Sequence, residues 1–382
     1  MGTTFYAVSR QRVTESMATW KSLLPTVKPY YAVKCNPDPT LVRWLGEYGT
    51  GFDCASANEV RIVNQVDYGA NIIFANPCKS SEEIRAHAAA NIETTVVDSF
   101  EEVDKLAENG WKASSLIRIR VEDGGSIMPF SAKFGLDPAH IKVLGIYART
   151  KGQHISGISF HVGSGCKDPA QYSLAIQEAA QGIRQLRSIG HDANMIDIGG
   201  GFMQGPLFRK TADIINPLLH RLDPQIKVIA EPGRFFAASS HDLFVRVIGK
   251  KPAKKGWRYT VDESLYGQFS CVPFDYAKPK WIRVRDPKEA PRRSQPAILY
   301  GRTCDSLDYI ASAEDAEELE EGDWLWFPHM GAYTTATSTE FNGFPKPPTY
   351  IIEDEVLPNP GDFGSAIWPR GLKYVSPVKV PS

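Results

Sequence analysis

The chain has 382 residues, enough for a large hydrophobic core and for more than one domain. Its 43 Lys and Arg residues nearly balance 44 Asp and Glu, a net charge of −1 that argues against nucleic acid as the main partner. Hydrophobic residues make up 42% of the chain, and the absence of any run near ~20 apolar residues argues against a membrane span.

In chain order, the first predicted elements are a strand at 5–9 and a helix at 13–23. From about residue 28 onward, short apolar, β-branched runs alternate with longer segments of helical periodicity. Eight of these runs are predicted strands: 29–33, 51–53, 72–75, 94–97, 116–120, 155–161, 195–198 and 228–231. Eight strand–helix units over about 210 residues favour an α/β fold, a (β/α)₈ TIM-type barrel. An open doubly wound sheet is the alternative, because strand number alone does not establish closure.

The alternation of predicted strands and helices stops after Ala238. Strand-like runs separated by Pro- and Gly-rich turns are predicted at 243–248, 297–300, 324–327 and 349–352. They indicate a C-terminal antiparallel β domain, a barrel or a sandwich, which the strand at 5–9 is expected to join. The predicted domains are therefore a barrel over 25–238 and a β domain formed by 1–24 with 239–382.

The number and spacing of the cysteines indicate the cellular location of the protein and whether it binds a metal. Six are scattered along the chain, at 35, 54, 78, 166, 271 and 304, with no CxxC pair and no zinc-site spacing. The first ten residues also lack a secretion signal. We expect a reducing, cytoplasmic location and no metal site.

The active site of such a barrel lies at the carboxyl ends of its strands, where this sequence carries polar residues. Lys34 directly follows the apolar strand 29–33, where desolvation would favour a neutral, nucleophilic amine. A surface lysine at the start of a loop is the alternative. Asp53 ends the second strand.

Glycines follow the seventh predicted strand, at Gly199, Gly200 and Gly201. Their backbone N–H groups could close on an anion, and barrels often bind phosphate after strands seven and eight. Arg234, just past strand eight, could add a charged contact to the same phosphate. Together these residues favour a phosphate site, although a glycine run alone could be a tight turn.

Two further strand ends carry ionisable residues. Glu231 lies on an apolar strand and needs a cationic partner, such as a protonated pyridine nitrogen or a structural arginine. His161 could stack on a planar cofactor, although a histidine there is usually a satisfied core residue. Ser164, between two glycines, is a candidate phosphate donor.

These residues belong to segments that together resemble one family. The segments are YAVKCN (31–36), FDCAS (52–56), HVGSGC (161–166), DIGGGF (197–202), EPGRF (231–235), TCD (303–305) and MGAYT (330–334). They are similar, in order, to the ornithine decarboxylase family of fold-type III decarboxylases of basic amino acids, which use pyridoxal 5′-phosphate.

The resemblance implies roles for individual residues. Lys34 would bind the cofactor aldehyde covalently, His161 would stack on the pyridine ring, and Glu231 would pair with its nitrogen. Asp53 and Glu59 would line the region around Lys34. The phosphate would be held by the remaining matched residues, namely Ser164, Gly199, Gly200, Gly201, Gly233, Arg234 and Tyr333.

The resemblance also implies a homodimer with shared active sites. Cys304, as proton donor, and Asp305 would complete the site of the partner chain, and Lys133 and Asp308 match a pair that bridges subunits in relatives. Asp275 and Asp305 would receive the distal ammonium of the substrate.

An aspartate at position 275 favours ornithine, with putrescine and CO₂ as products, over lysine or arginine. Phe274 and Arg302 depart from the usual tyrosine and proline of the family, which leaves exact specificity open.

A racemase and a non-catalytic regulator are the alternatives to a decarboxylase. Racemases of this fold carry a different segment after the lysine, whereas here Lys34 is followed by Cys-Asn-Pro-Asp. A non-catalytic regulator like the antizyme inhibitors would be expected to lose cofactor contacts, yet the matched residues are all present. The sequence therefore favours an active decarboxylase.

Overall fold

The computed structural model describes residues 3–66, 69–90, 92–285, 288–352 and 373–374. They divide into two compact units, Met17–Phe235 and the described parts of Met1–Ser16 with Phe236–Ser382. Strand β1 (Phe5–Ser9) and helix α1 (Arg10–Leu23) open the chain. No helix among the described residues combines the length and the apolar composition that crossing a membrane requires.

Unit Met17–Phe235 contains a closed barrel of eight parallel strands. The strands of this unit are β2 (Val27–Ala32), β3 (Gly51–Cys54), β4 (Ile72–Phe74), β5 (Thr94–Val97), β6 (Ser114–Arg118), β7 (Ser126–Met128), β8 (His154–Ser159), β9 (Ser164–Cys166), β10 (Met195–Asp197) and β11 (Lys227–Ala230). The barrel order is β10-β11-β2-β3-β4-β5-β6-β8, while β7 and β9 form a separate antiparallel pair. The eight predicted strands and the barrel are confirmed, and the open sheet is wrong because β11 pairs with β2.

Helices follow the barrel strands in the expected alternation. They are α2 (Pro39–Glu47), α3 (Ala57–Val66), α4 (Ser81–Ala89), α5 (Phe100–Glu108), α6 (Ile141–Thr150), α7 (Ala170–Ser188), α8 (Pro206–Leu219) and the short α9 (Arg234–Ala237). N-cap side chains stabilise the starts of several helices. Asp38 accepts a hydrogen bond from the Thr40 amide at 2.7 Å, and Ser80 forms a capping box with Glu83. The loops that carry polar residues are thereby held at the carboxyl ends of the strands.

The period-two pattern of the strands explains why an apolar layer lies below the polar end of the barrel. Ile73, Val96, Leu116 and Ile229 form a buried cluster inside it. Two residues after Ile229 comes Glu231, on the same inward face. A Cβ on Gly157 would lie 2.0 Å from the Met195 carbonyl oxygen, so that only glycine fits where β8 meets β10.

The other unit is built on a nine-stranded sheet that contains β1. Its further elements are β12 (His241–Pro252), β13 (Trp257–Val261), α10 (Cys271–Asp275), β14 (Ile282–Val284), β15 (Ser294–Tyr300), β16 (Tyr309–Glu317), β17 (Trp324–Phe327), β18 (Thr349–Ile352) and β19 (Lys373–Tyr374). The expected joining of the N-terminal strand is confirmed, since β1 pairs with β12 and with β18.

The sheet is mixed rather than antiparallel throughout. β1 runs parallel to β18, and β13 runs parallel to β15. Both pairs join strands that are far apart in sequence, so no tight hairpin imposes an antiparallel arrangement. The stacked rings of Phe5 and Phe244, with centroids 4.9 Å apart, pack between β1 and β12.

Candidate active site

Lys34 lies at the rim of the barrel, in a single 3₁₀ turn (Val33–Cys35) directly after β2. Its Nζ is 2.8 Å from Oδ2 of Asp53, which lies on the neighbouring strand β3. The Asp53 side chain is only 1% exposed, whereas that of Lys34 is 41% exposed. A buried carboxylate thus holds an amine whose other side is accessible to a ligand.

Glu59 lies beside this pair, in the first turn of α3. Its Oε2 accepts the backbone N–H of Ala55 at 2.7 Å. Burial raises the pKa of Glu59, and the charge of Asp53 adds to the rise. The two acids expected around Lys34 are therefore brought together there.

Glu231 lies just after β11 and is 7% exposed. Burial, and next the neighbouring charge of Asp197, raise the pKa of Glu231 well above its ordinary value. Asp197, the last residue of β10, and Arg118, the last of β6, are near it but were missed by the sequence reasoning. The period-two position of Asp197 after Met195 was the signal that could have identified it.

The ring of His161 is partly buried above the end of β8. Its Nδ1 accepts the N–H of Gly163 at 2.9 Å, which leaves the proton of a neutral ring on Nε2. Burial, followed by the positive charges of Arg118 and Lys34, lowers the pKa of His161 well below its ordinary value. The ring is therefore a flat, uncharged surface.

The triglycine turn packs so closely against its neighbours that side chains would not fit there. Gly199 and Gly201 have φ angles of +63° and +99°. A Cβ on Gly200 would lie 2.6 Å from the carbonyl oxygen of Glu231 and 2.9 Å from Nε2 of His161. The turn is held by its carbonyls, because Tyr172 Oη donates to Gly200 O at 2.7 Å.

Arg234 and Ser164 lie together beside this turn. The guanidinium Nη2 donates to Ser164 Oγ at 3.1 Å, which joins the segment after β11 to the start of β9. Gly233 packs against the Lys34 turn, since a Cβ there would lie 2.8 Å from the Cβ of Cys35. This glycine is therefore required for packing as well as being a candidate for cofactor binding.

These residues fit a pyridine ring that bears an aldehyde and a phosphate. The amine of Lys34 can react with an aldehyde, and the buried acid of Glu231 can pair with a ring nitrogen. The guanidinium of Arg234, hydrogen-bonded to the hydroxyl of Ser164, supplies the positive charge and the donors that a phosphate needs. The donor set of this unit matches that cofactor group by group.

The remaining predicted residues lie in the β-sheet unit. Asp275 ends α10 and is 6% exposed, whereas the adjacent Phe274 is 61% exposed. Tyr333 has a φ angle of +55°. Cys304 is exposed, and its backbone N–H donates to Oδ1 of Asn342 at 3.2 Å.

The loop that carries Cys304 and Asp305 is tied to Asp308. The buried Asp308 carboxylate accepts from the backbone N–H of Leu265 at 2.7 Å, and from Thr303 N–H at 3.0 Å and Oγ1 at 2.6 Å. Both of its oxygens are thus hydrogen-bonded within the chain. Arg302 places its guanidinium 3.9 Å from the centre of the Phe344 ring, a cation–π contact.

Comparisons with known proteins agree with this site. Residues 10–238 match the family model described as pyridoxal-dependent decarboxylase, pyridoxal binding domain. An ornithine decarboxylase of Panagrellus redivivus is 37% identical, over 92% of this chain and 86% of its own length. Antizyme inhibitor 2 of Xenopus laevis is 38% identical, over 86% of this chain and 76% of its own length.

A solved structure is also similar. The crystal structure of the Paramecium bursaria Chlorella virus arginine decarboxylase bound to agmatine has a TM-score of 0.86 and 35% identity, over 92% of this chain and 98% of that one. The fold and the site define a barrel that binds pyridoxal 5′-phosphate. The chain belongs to the family of pyridoxal-dependent amino-acid decarboxylases.

Proposed function

We propose that this protein decarboxylates a basic L-amino acid, L-ornithine, to putrescine and CO₂. The observation that carries the proposal is the position of the Lys34 amine, 2.8 Å from the buried Asp53 carboxylate at the carboxyl end of the barrel. The same rim bears Glu231, the triglycine turn and Arg234. An active decarboxylase needs all of these groups at one end of the barrel.

In this proposal three residues act on the ring of the cofactor. Lys34 would hold its aldehyde, and Asp53 would orient the Lys34 amine. The neutral ring of His161 stacks on the pyridine, and Glu231 pairs with the pyridine nitrogen. When bound, the cofactor accepts the electron pair left by the departing carboxylate.

The phosphate group is held at the other end of the site. In the proposed site the turn of Gly199, Gly200 and Gly201 faces the phosphate, with the Gly199 N–H already bonded to Asp197, and Arg234 and Ser164 offer charge and a hydroxyl. Gly233 and Tyr333 are further proposed contacts. Glu59 supports the Asp53 side of the site through its bond to Ala55.

We further propose that two chains form a homodimer and that Cys304 protonates the reacting carbon in the partner's site. Large side chains lie exposed close to Cys304: Leu307 is 70% exposed, and Tyr309 and Phe341 are each 42% exposed. Burial of such side chains against a second copy would be favourable. The exposed thiol would then lie at an interface.

The substrate proposal rests on two carboxylates. The backbone N–H of Leu307 and the hydroxyl of Tyr266 hydrogen-bond to Asp305 and lower its pKa, so that it is ionised and can pair with an ammonium. In each proposed site, one chain supplies Asp305 and the chain that binds the cofactor supplies Asp275, the second carboxylate. Phe274 is the apolar residue next to Asp275. Two short carboxylates suit the primary ammonium of ornithine, with lysine or arginine as the alternatives.

A regulatory homologue without catalysis is the second candidate, because antizyme inhibitor 2 is a relative. The cofactor residues of this chain argue for catalysis instead. All six cysteines carry thiol groups, which is consistent with the proposed reducing, cytoplasmic location.

The reaction is tested with the variant Lys34→Ala. The control is Lys112→Ala, which removes an exposed lysine from the same unit. Protein loaded with pyridoxal 5′-phosphate is expected to be yellow and to release CO₂ from L-ornithine. Lys34→Ala should lose both the visible absorption band and CO₂ release, and Lys112→Ala should lose neither. An unchanged spectrum in Lys34→Ala would refute the assignment.

Specificity is tested by measuring amine formation from L-ornithine, L-lysine, L-arginine and meso-diaminopimelate. We expect L-ornithine to have the highest kcat/KM. Asp275→Ala should raise the KM for diamino acids at least tenfold, because one ammonium contact is lost, with cofactor affinity unchanged. Equal losses of substrate and cofactor binding would show that Asp275 is structural.

A further inference from the structure

The carboxyl groups of Asp197 and Glu231, here called the carboxyl pair, lie side by side on the inner face of the barrel. Asp197 pairs in register with Ile229 of β11, so Glu231, two residues further on, lies on the same face. The two residues are 1% and 7% exposed, and their carboxyl groups are within hydrogen-bonding reach of each other. Two buried carboxyl groups in contact cannot both be ionised, so the pair holds a proton.

The hydrogen bonds of Asp197 show which of its oxygens takes part in holding this proton. Oδ1 accepts the N–H of Gly199 at 2.9 Å. Oδ2 is buried and, within the described part of the chain, receives no hydrogen bond from an N–H or O–H group. Such an oxygen is satisfied if the proton lies between it and the carboxyl group of Glu231, whichever of the two groups carries it.

Charged groups from several other strands face the carboxyl pair. Asp53 on β3 raises the pKa of both members. Arg118, at the end of β6, lowers the pKa of Asp197, and Lys34, after β2, lowers that of Glu231. His161 after β8 is neutral, and Tyr30 on β2 is kept protonated by burial and by the charge of Asp197, which raise its pKa.

Burial is the largest influence on the carboxyl pair. It raises the pKa of Asp197 to about 7 and that of Glu231 well above its ordinary value. Asp53 adds to this rise and Arg118 and Lys34 oppose it, but the pKa of each member stays raised, so the pair is expected to keep a proton at neutral pH.

We propose that the carboxyl pair shares a single proton in the cofactor-free protein, and that Asp197 retains it when the pyridine nitrogen is bound and so orients the ionised oxygen of Glu231. Asp197 is then a positioning residue that acts through Glu231. The inference rests on the proposed role of Glu231 toward the cofactor, but the shared proton is a property of the cofactor-free protein.

The shared proton is tested by infrared difference spectroscopy of the cofactor-free protein at pH 7. Asp197→Asn and Glu231→Gln should each lose the same carbonyl band of one protonated carboxyl group, and the double variant should lose no more than either. Asp192→Asn, an exposed acid in the same unit, should lose nothing. A band undiminished in Asp197→Asn, or a doubled loss in the double variant, would overturn the proposal.

The positioning role is tested by titrating cofactor-free protein with pyridoxal 5′-phosphate. Asp197→Asn keeps an acceptor for Gly199 and an N–H donor for Glu231, so its affinity should stay within about threefold of the wild type. Asp197→Ala should bind at least about tenfold more weakly. Equal affinities of the wild type and Asp197→Ala, or equally weak binding by both variants, would refute this role. Inactivity toward every amino acid would refute the proposed reaction and leave both measurements interpretable.

Discussion

Asp308 provides the sharpest test of how the β-sheet unit holds the Cys304 loop. Its buried carboxylate accepts three hydrogen bonds, from Leu265 N–H, Thr303 N–H and Thr303 Oγ1. Asp308→Ala would remove all three and leave two backbone N–H groups without their acceptor. Each such group costs about 1–3 kcal/mol, so we expect a loss of about 4 kcal/mol in the free energy of unfolding.

That loss corresponds to a lowering of Tm by roughly 12 °C for a unit of this size, measured by differential scanning calorimetry. Turnover should also fall at least about tenfold with the visible absorption band intact, since Cys304 would no longer be held in place. Asp315→Ala, which removes an exposed aspartate from β16, is the control. If both variants had the Tm of the wild type, the three hydrogen bonds would not stabilise the loop, and the reasoning would be wrong.

Two further outcomes are expected. Gly200→Ala should weaken cofactor binding at least about tenfold in a titration, because its Cβ would meet the Glu231 carbonyl oxygen at 2.6 Å and displace the turn; wild-type affinity would contradict the proposed role of the triglycine turn in holding the cofactor. Burial raises the pKa of Glu263 from 4.5 to about 7, so the folded protein loses stability as pH rises across that range. Glu263→Gln should therefore be more stable than the wild type by about 3 kcal/mol at pH 8.5 and nearly equal to it at pH 4; a difference independent of pH would exclude this cause.

Much of the barrel follows from local sequence patterns. Each barrel strand is an apolar, β-branched run that ends in a polar or small residue, and the structure finds all eight of them. Because parallel strands end at one face, the sequence also predicted that Lys34, Asp53, His161 and Glu231 would lie together. Closure depended on the pairing of β11 with β2, which no local pattern contains.

The features that the sequence missed depend on neighbours that are distant in the chain. In the sequence, Asp197 is simply the first residue of a glycine motif. Only the pairing of β10 with β11 brings it next to Glu231. Likewise, the parallel pairing of β1 with β18 joins strands separated by most of the chain. Asp308, for which the resemblance implies a contact between subunits, also organises a loop within the chain, through backbone donors that have no side-chain signature.

The close contact of Gly233 with Cys35 lies where the last barrel strand, β11, meets the first, β2, and it is next to the proposed cofactor-binding lysine. The turn bearing Lys34 comes from the first barrel strand, and Gly233 follows the last, about 200 residues later. A growing polypeptide therefore cannot complete the aldehyde-binding pocket until this late segment has been synthesised and has docked. Capture of the vitamin-derived ligand during biosynthesis should consequently report that the ring of strands has closed, which makes colour a readout of barrel closure.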